Sequence, residues 1–286
     1  MDIFCLTFDS DLLTFSLEKG SVLTMLALER RLRIREILSA QRSISASALI
    51  QELGATSATI RRDLAALEKD GVLVRSHGGA VSRTSSTNFQ PSYEALQRTN
   101  RAEKVAIAAA AEKMLLDGDT AFLESSTTVF ELSRRLGGFS RLTVATNSPL
   151  VVCQLQRWAG VHVVCTGGDL QRDQFCLSGI WAQQVLSEIR VDKAFMGITA
   201  VDFRYGHSCA SQAEAQVKRM LVKAGKQRIG MVDHSKFGNQ AFVHVGPISD
   251  FTTIITDSGT DPAQIAGLRD AGVEVVVVEV DKHAAE

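Results

Sequence analysis

Cysteine is sparse and unpatterned. Cys5, Cys153, Cys165, Cys176 and Cys209 are odd in number, scattered and free of any CxxC spacing, which argues against a disulfide framework or a zinc site. Buried free thiols in a reducing cytoplasm are expected instead. No apolar run reaches the roughly 20 residues of a bilayer span, and residues 1–24 lack the basic start and small-residue cleavage site of a secretory signal. The expectation is a cytoplasmic protein with no membrane partner. His234 has no second histidine at ligand spacing, and its neighbour Lys236 opposes a cation. We therefore expect no metal and a supporting, structural His234. Asp169, Glu214 and Asp233 could serve as general bases, but no linear pattern brings two of them together.

What the chain does have is length and an uneven charge. Its 286 residues, 45% apolar and 22% charged, suffice for two cores, one small and one larger. The net charge of −1 conceals a basic stretch: residues 25–83 hold ten Arg or Lys against six Asp or Glu. A net positive charge concentrated in one part suits a nucleic-acid partner.

That basic stretch contains residues 55–80, ATSATIRRDLAALEKDGVLVRSHGGA. Thr56, Ser57 and Thr59 stand where a helix begins, where hydroxyls cap free N–H groups or reach phosphates. Ile60, Leu64 and Leu67 then recur at spacings of four and three, giving one apolar face and leaving Arg61 and Arg62 elsewhere on the surface. Upstream, residues 33–38 and 45–53 read as two further helices, the second closed by Gly54. Three helices in this order describe a helix-turn-helix. Downstream, residues 72–74 read as a short strand and Arg75, Ser76, His77, Gly78 and Gly79 as a flexible polar tip, a wing. Each signal alone fits a solvated face or a plain turn; their joint order carries the reading.

The TIRRDL run, the Leu67-Glu68 pair, Gly71 and the RSHGGA wing resemble the DeoR-type family of bacterial transcriptional regulators. The resemblance extends from about residue 29 to about residue 257. It implies that Thr56, Ser57, Thr59, Arg61, Arg62, Arg75, His77 and Gly78 contact double-stranded operator DNA, the helix in the major groove and the wing on backbone or minor groove. Residues 1–24 lie outside it and are expected to be an extension outside the fold. Met25 stands directly before the first helix, and Glu18, Lys19 and Gly20 require purine-rich codons shortly before it. A start at Met25 is the favoured reading, a short extension packed on the helices the other.

Domain boundaries follow: residues 25–81 for the DNA-binding module, 82–97 for a polar linker, and 98–286 for a larger domain. In the last, an Ala-rich amphipathic helix over 104–116 precedes alternating strands and helices. Strands are expected at 120–124, 142–146, 161–165, 192–198, 227–232, 252–256 and 273–278, with helices at 128–136, 149–157, 181–188, 212–224 and 262–270. The fold class is α/β, a mostly parallel sheet covered on both faces, and its ligand belongs at the strands' C-terminal ends.

Those ends carry Glu124, Ser125, Ser126, Thr127 and Thr128, then Asn147 and Ser148, then Gly167 and Gly168, and later Asp233 and Lys236. A hydroxyl run entering a helix, glycines permitting close approach and a mobile cation suit a small phosphorylated metabolite. Taken singly, an N-cap and a Gly-Gly turn explain the first and third as well. This half resembles the sensor domain of the same regulators, similar in fold to ribose-phosphate isomerases and glucosamine-phosphate deaminases. The resemblance implies that Glu124, Ser126, Thr127, Thr128, Asn147, Ser148, Gly167, Gly168, Asp233 and Lys236 bind a sugar phosphate. Lys104, Glu214 and Lys218 also fall on family-like positions. Two departures stand out: Glu124 replaces the usual Asp and Ser126 the usual Gly, so crowding or a restricted loop is expected there. The VDHSKFG run looks most like the branch responding to glycerol 3-phosphate.

The expected function is a transcriptional repressor of a carbohydrate or polyol operon, released by a phosphorylated sugar or polyol. No cofactor is implied, and a homo-oligomer is expected because one module buries little DNA. The other readings are an isomerase or deaminase carrying a DNA module, and an activator with the same architecture.

Overall fold

The computed structural model describes residues 27–41, 43–76, 78–82 and 92–280. The expected extension 1–24, His77 and most of the expected linker lie outside these residues.

The N-terminal part comprises α1 (Ala27–Gln41), β1 (Ser43–Ser45), α2 (Ala46–Leu53), α3 (Ser57–Lys69), β2 (Leu73–Ser76) and β3 (Gly79–Ser82). Each short helix is set by its ends. Ser45 caps α2 by accepting from Ala48 N, and Gly54 ends it at φ 59°. Thr56 then caps α3 by accepting from Thr59 N, so helix, turn and helix follow within a few residues. The periodic apolar residues Ile60, Leu64 and Leu67 are buried with Ile34, Ile37, Leu38, Leu49 and Leu53. The wing is more ordered than the sequence suggests. β2 extends to Ser76, and β3 pairs with it and with β1 in an antiparallel sheet of order β1-β3-β2. Gly79 fits there because a Cβ would stand 2.1 Å from Ile44 O.

Residues 93–98, expected within and just after the linker, form α4 (Tyr93–Arg98), capped by Ser92 and with Tyr93 buried. The chain continues through α5 (Arg101–Glu112), β4 (Thr120–Leu123), α6 (Thr127–Ser133), β5 (Leu142–Thr146), α7 (Pro149–Leu155), β6 (Val161–Cys165), β7 (Asp169–Gln171), β8 (Cys176–Ser178) and α8 (Gly179–Glu188). It ends with β9 (Val191–Gly197), β10 (Ala200–Asp202), β11 (Gly206–Cys209), α9 (Gln212–Ala224), β12 (Gly225–Met231), β13 (Val243–Gly246), β14 (Thr253–Asp257), α10 (Pro262–Asp270) and β15 (Glu274–Val278).

Seven of these strands form one parallel sheet in the order β15-β14-β12-β9-β4-β5-β6. Strand alternation divides the core in two. Ala121, Leu123 and Phe195 point with α5, α6 and α7 to one cluster. Phe122, Ala194 and Met196 point with α8, α9 and α10 to the other. Both faces are covered, as near-continuous apolar parallel strands require. The chain builds from β4 towards β6 on one side, then returns to β9 on the other. The strand order therefore reverses between β4 and β9, where the C-terminal ends open a crevice.

Two small sheets, β7-β8 and β10-β11-β13, rim that end and had no counterpart among the expected strands. The four described cysteines are all free, but Cys153 and Cys165 are exposed rather than buried. Cys165 ends β6, which among the described residues is an edge strand paired only with β5.

Candidate functional site

The first half of α3 presents its polar residues outward. Thr56, Ser57, Arg61 and Arg62 are exposed and Thr59 is half-buried, its hydroxyl 2.9 Å from that of Thr56. Arg61 and Arg62 have no ion pair among the described residues, so both guanidiniums are available. The next residue, Asp63, is buried against α1, where it accepts from Arg30 Nε at 2.5 Å and Arg31 Nε at 3.0 Å. On the wing, Arg75 is exposed and held through its backbone N–H to Glu68 Oε1 at 3.0 Å. Gly78 is exposed, with nothing within 4 Å of where a Cβ would stand. A helix presenting hydroxyls and two free arginines beside a basic hairpin can read one groove and touch the backbone next to it.

At the other end of the chain, a cavity of about 340 Å³ opens over the sheet's crevice, lined among others by Ser125, Arg172, Gln174, Cys176, Ser211 and Glu214. Its floor is a buried charge cluster. Lys218 Nζ donates to Glu124 Oε1 at 2.9 Å and to Gly197 O at 2.7 Å, with Glu214 Oε1 3.5 Å away. Burial alone would lower the Lys218 pKa, but Glu124 and Glu214 hold it above the usual lysine range. Glu124 Oε2 also accepts from Gly197 N at 3.1 Å, joining the ends of β4 and β9. The Cys176 thiol is pushed up to about 11 by burial and the nearby carboxylates, so it lines the wall as a neutral thiol.

The departures at Glu124 and Ser126 thus have a physical content. Glu124 is long enough to reach Lys218, 94 residues away. Ser126 lies at φ −138°, an ordinary extended conformation, so its backbone is not strained. Its Oγ accepts from Val129 N at 3.1 Å, capping α6. Its side chain fills the space over Gly197, where an added Cβ would come within 2.4 Å of Ser126 Cβ.

The remaining residues read from the sequence stand around the cavity rather than in its lining. Asn147 Oδ1 accepts from Ser125 N at 3.0 Å, fixing the loop that enters the cavity. Thr127, Thr128 and Ser148 are buried, the last capping α7. Gly167 and Gly168 have φ of 66° and 111°, and a Cβ on Gly168 would meet Ser178 O at 2.3 Å. Gly168 is thus required by tight packing against Ser178 and Ala182, whereas Gly167 has open space around it and is set apart only by its left-handed backbone. Asp233 and Lys236 lie on the turn after β12, and Asp233 Oδ1 accepts from Asn100 Nδ2 at 2.8 Å. His234 is engaged by Asp257 through both its backbone N–H and Nδ1, at 2.8 and 2.7 Å.

Sequence reading missed Arg172, Gln174 and Ser211, because the 171–174 turn and the entry to α9 meet over the crevice only in the fold. It noted Lys104 without its setting. Lys104 is buried, and its Nζ donates to Leu96 O and, at 2.6 Å, to Thr99 O. Burial pushes it down to about 8, with Lys236 adding to the fall and Asp233 opposing it. Among the described residues no group of three or more His, Cys, Asp or Glu could hold a metal ion, and no helix is long and apolar enough to cross a membrane.

Comparison with known proteins covers both ends of the chain. The DeoR C terminal sensor domain matches residues 99–258, and the DeoR-like helix-turn-helix domain matches residues 30–86. The HTH-type transcriptional regulator YulB of Bacillus subtilis is 36% identical over 91% of this chain and all of its own length. The HTH-type transcriptional regulator GlpR of Haloferax volcanii is 34% identical over 88% of this chain and 98% of its own. The transcriptional repressor AccR of Agrobacterium fabrum is 34% identical over 81% and 90%. Among solved structures, ribose 5-phosphate isomerase A of Methanocaldococcus jannaschii aligns with 49% of this chain and 55% of its own, at 18% identity and a TM-score of 0.36, too distant to bear on function. With a matching domain at each end and relatives similar along nearly their whole length, the chain belongs to the DeoR family of transcriptional regulators.

Proposed function

We propose that the protein is a sequence-specific repressor of a carbohydrate or polyol catabolic operon, released from its operator by a phosphorylated sugar or polyol. The observation that carries this reading is the combination, in one chain, of a helix with two exposed arginines that have no ion pair among the described residues and a polar cavity at the sheet's switch point. On this reading residues 25–81 bind DNA, residues 98–286 sense the ligand in the cytoplasm, and the protein acts as a homo-oligomer spanning two half-sites. The phosphate lies between the loop 125–128 and Lys236, and the remainder of the ligand occupies the cavity lined by Arg172, Gln174 and Ser211. The test is fluorescence anisotropy of the full chain on DNA upstream of its own gene, with a panel of sugar and polyol phosphates. Specific binding released by one compound supports the reading. Specific binding indifferent to every compound overturns the sensing half of it.

Two outcomes are expected within that assay. Lys236→Ala weakens the releasing compound about 10- to 100-fold, the worth of one charge-assisted hydrogen bond, and leaves operator affinity without ligand unchanged. An unchanged ligand affinity removes Lys236 from the site.

The second concerns how the ligand acts on DNA, which requires unequal binding to two states. The α4 segment, which follows the linker, touches both sides of the site. Tyr93 packs edge-on against Phe175 at 5.6 Å, next to cavity-lining Gln174 and Cys176. Asn100, in the turn after α4, holds Asp233 on the Lys236 loop. Asn100→Gly keeps the left-handed backbone that Asn100 adopts at φ 50° and removes only the amide. It is expected to bind operator and ligand normally while ligand-induced release falls at least about fivefold, the low end of allosteric couplings. Full release by ligand in that variant shows that the signal does not pass through Asn100.

A further inference from the structure

Asp63 faces α1 with one carboxylate for two guanidiniums. The two arginines are not equivalent. The Arg30 side chain is 8% exposed and that of Arg31 is 38% exposed, against 2% for Asp63. Arg30 therefore neutralises the buried carboxylate within the core of the module. Arg31 binds it through Nε at 3.0 Å, and no other hydrogen bond or ion pair engages the Arg31 guanidinium among the described residues. Arg31 brings a second cation to the same carboxylate, and its side chain is much the more exposed of the two.

We infer that Arg31 is a phosphate-binding residue of the DNA interface, oriented by Asp63. An arginine whose Nε is fixed by a carboxylate keeps its two Nη groups in one plane on the far side. That is the fork geometry that engages a phosphate through two parallel hydrogen bonds. The position suits the role. Asp63 lies six residues into α3, about 9 Å along its axis from Ser57 at the rise of an α-helix. A helix of about 10–12 Å diameter fills the major groove, which is about 12 Å wide. A group held at the flank of α3 by the neighbouring helix α1 thus stands where the groove wall carries its phosphates. Asp63 does not touch DNA in this arrangement; its backbone neighbours Arg61 and Arg62 face the groove while its side chain points back to α1. It positions Arg31 and fixes α1 to the reading helix with the same two oxygens. Asp63 thereby ties the angle of the reading helix to the reach of a backbone contact.

The experiment is the salt dependence of operator binding by the full chain, unmodified and as Arg31→Ala. Each phosphate neutralised contributes about −0.9 to the slope of log K against log salt concentration. Loss of the Arg31 contact lowers the magnitude of the slope by about one and weakens specific and non-specific DNA to the same degree, so their ratio is kept. A variant that only disturbed the fold would lose the specific complex preferentially. Arg31→Gln, which keeps a donor for Asp63 and drops the charge, is expected to show the same change in slope, and serves if the alanine variant does not fold. A folded variant with the slope of the unmodified protein overturns the inference. So does a loss confined to one base pair of the operator, which would make Arg31 a base-reading residue.

Discussion

Replacing Arg61 and Arg62 together by alanine abolishes specific operator binding while the protein unfolds at the same temperature as before. Both side chains are exposed on α3 and neither takes part in an ion pair among the described residues, so their removal costs the isolated module little. Their neighbours on the buried side, Ile60, Asp63 and Leu64, remain and keep the helix on α1 and α2. On the proposed assignment of α3 as the reading helix, the two guanidiniums face base edges or phosphates in the complex. A bidentate contact to a base discriminates by about 1–3 kcal/mol, so two of them are worth from about thirtyfold to more than about ten-thousandfold in affinity. Single variants separate the roles. The arginine that reads a base loses preference at one operator position, and the one that binds phosphate loses affinity uniformly and flattens the salt dependence. Anisotropy with operator and scrambled duplexes measures both. Near-normal operator affinity in the folded double variant would sink the assignment of α3 as the reading helix.

This prediction rests on residues that the sequence displays openly, and the contrast with the cavity is instructive. The seven strands of the large sheet lie within about two residues of the expected runs, because central strands such as β4 and β14 are buried on both faces and read as near-continuous apolar segments. The caps of α2, α3 and α6 are equally local, each a hydroxyl accepting from the third residue on. What escaped was short, polar or long-range. β7 (DLQ) and β11 (GHSC) have too few residues for any period to appear, and pair only because the hairpins around them close. α4 is one and a half turns long, and only the burial of Tyr93 distinguishes it from the polar linker before it. Glu124 looked like an odd replacement in a phosphate loop. Its reason, Lys218, lies a further 94 residues along and meets it only where α9 packs on β4 and β9. Arg172 and Ser211 follow the same rule, for nothing in the chain announces that a turn after β7 and the cap of α9 will share one cavity.

The Lys218 cluster is also where the largest loss of stability is expected. Lys218→Met removes the cation between two carboxylates, one of which, Glu124, is 1% exposed. Breaking a buried pair from one side leaves an uncompensated charge in a medium of low polarity and costs about 3–5 kcal/mol, a large share of the 5–15 kcal/mol typical of a folded protein. The pH dependence distinguishes this cause from a simple packing defect. In the unmodified protein Lys218 titrates above its ordinary value of 10.5. Its contribution is therefore complete below that value and is lost only as the pH rises beyond it. Between pH 5 and 9 Lys218 itself adds no slope. In the methionine variant the burial that already raises Glu124 acts without its counterion, so the folded pKa of that carboxyl rises well above its ordinary 4.5. Stability then falls as pH climbs past the unfolded value, and the deficit is greatest at neutral pH and shrinks on acidification. Glu124→Gln in the Lys218→Met background removes the stranded charge and is expected to recover more than half of the loss, while the same Gln in the unmodified protein is destabilising. Urea denaturation of the four proteins at pH 5 and pH 7.5 completes the cycle. A deficit that is the same at both pH values, or is not relieved by the second substitution, would show that Lys218 holds the ends of β4 and β9 together by packing and not by its charge.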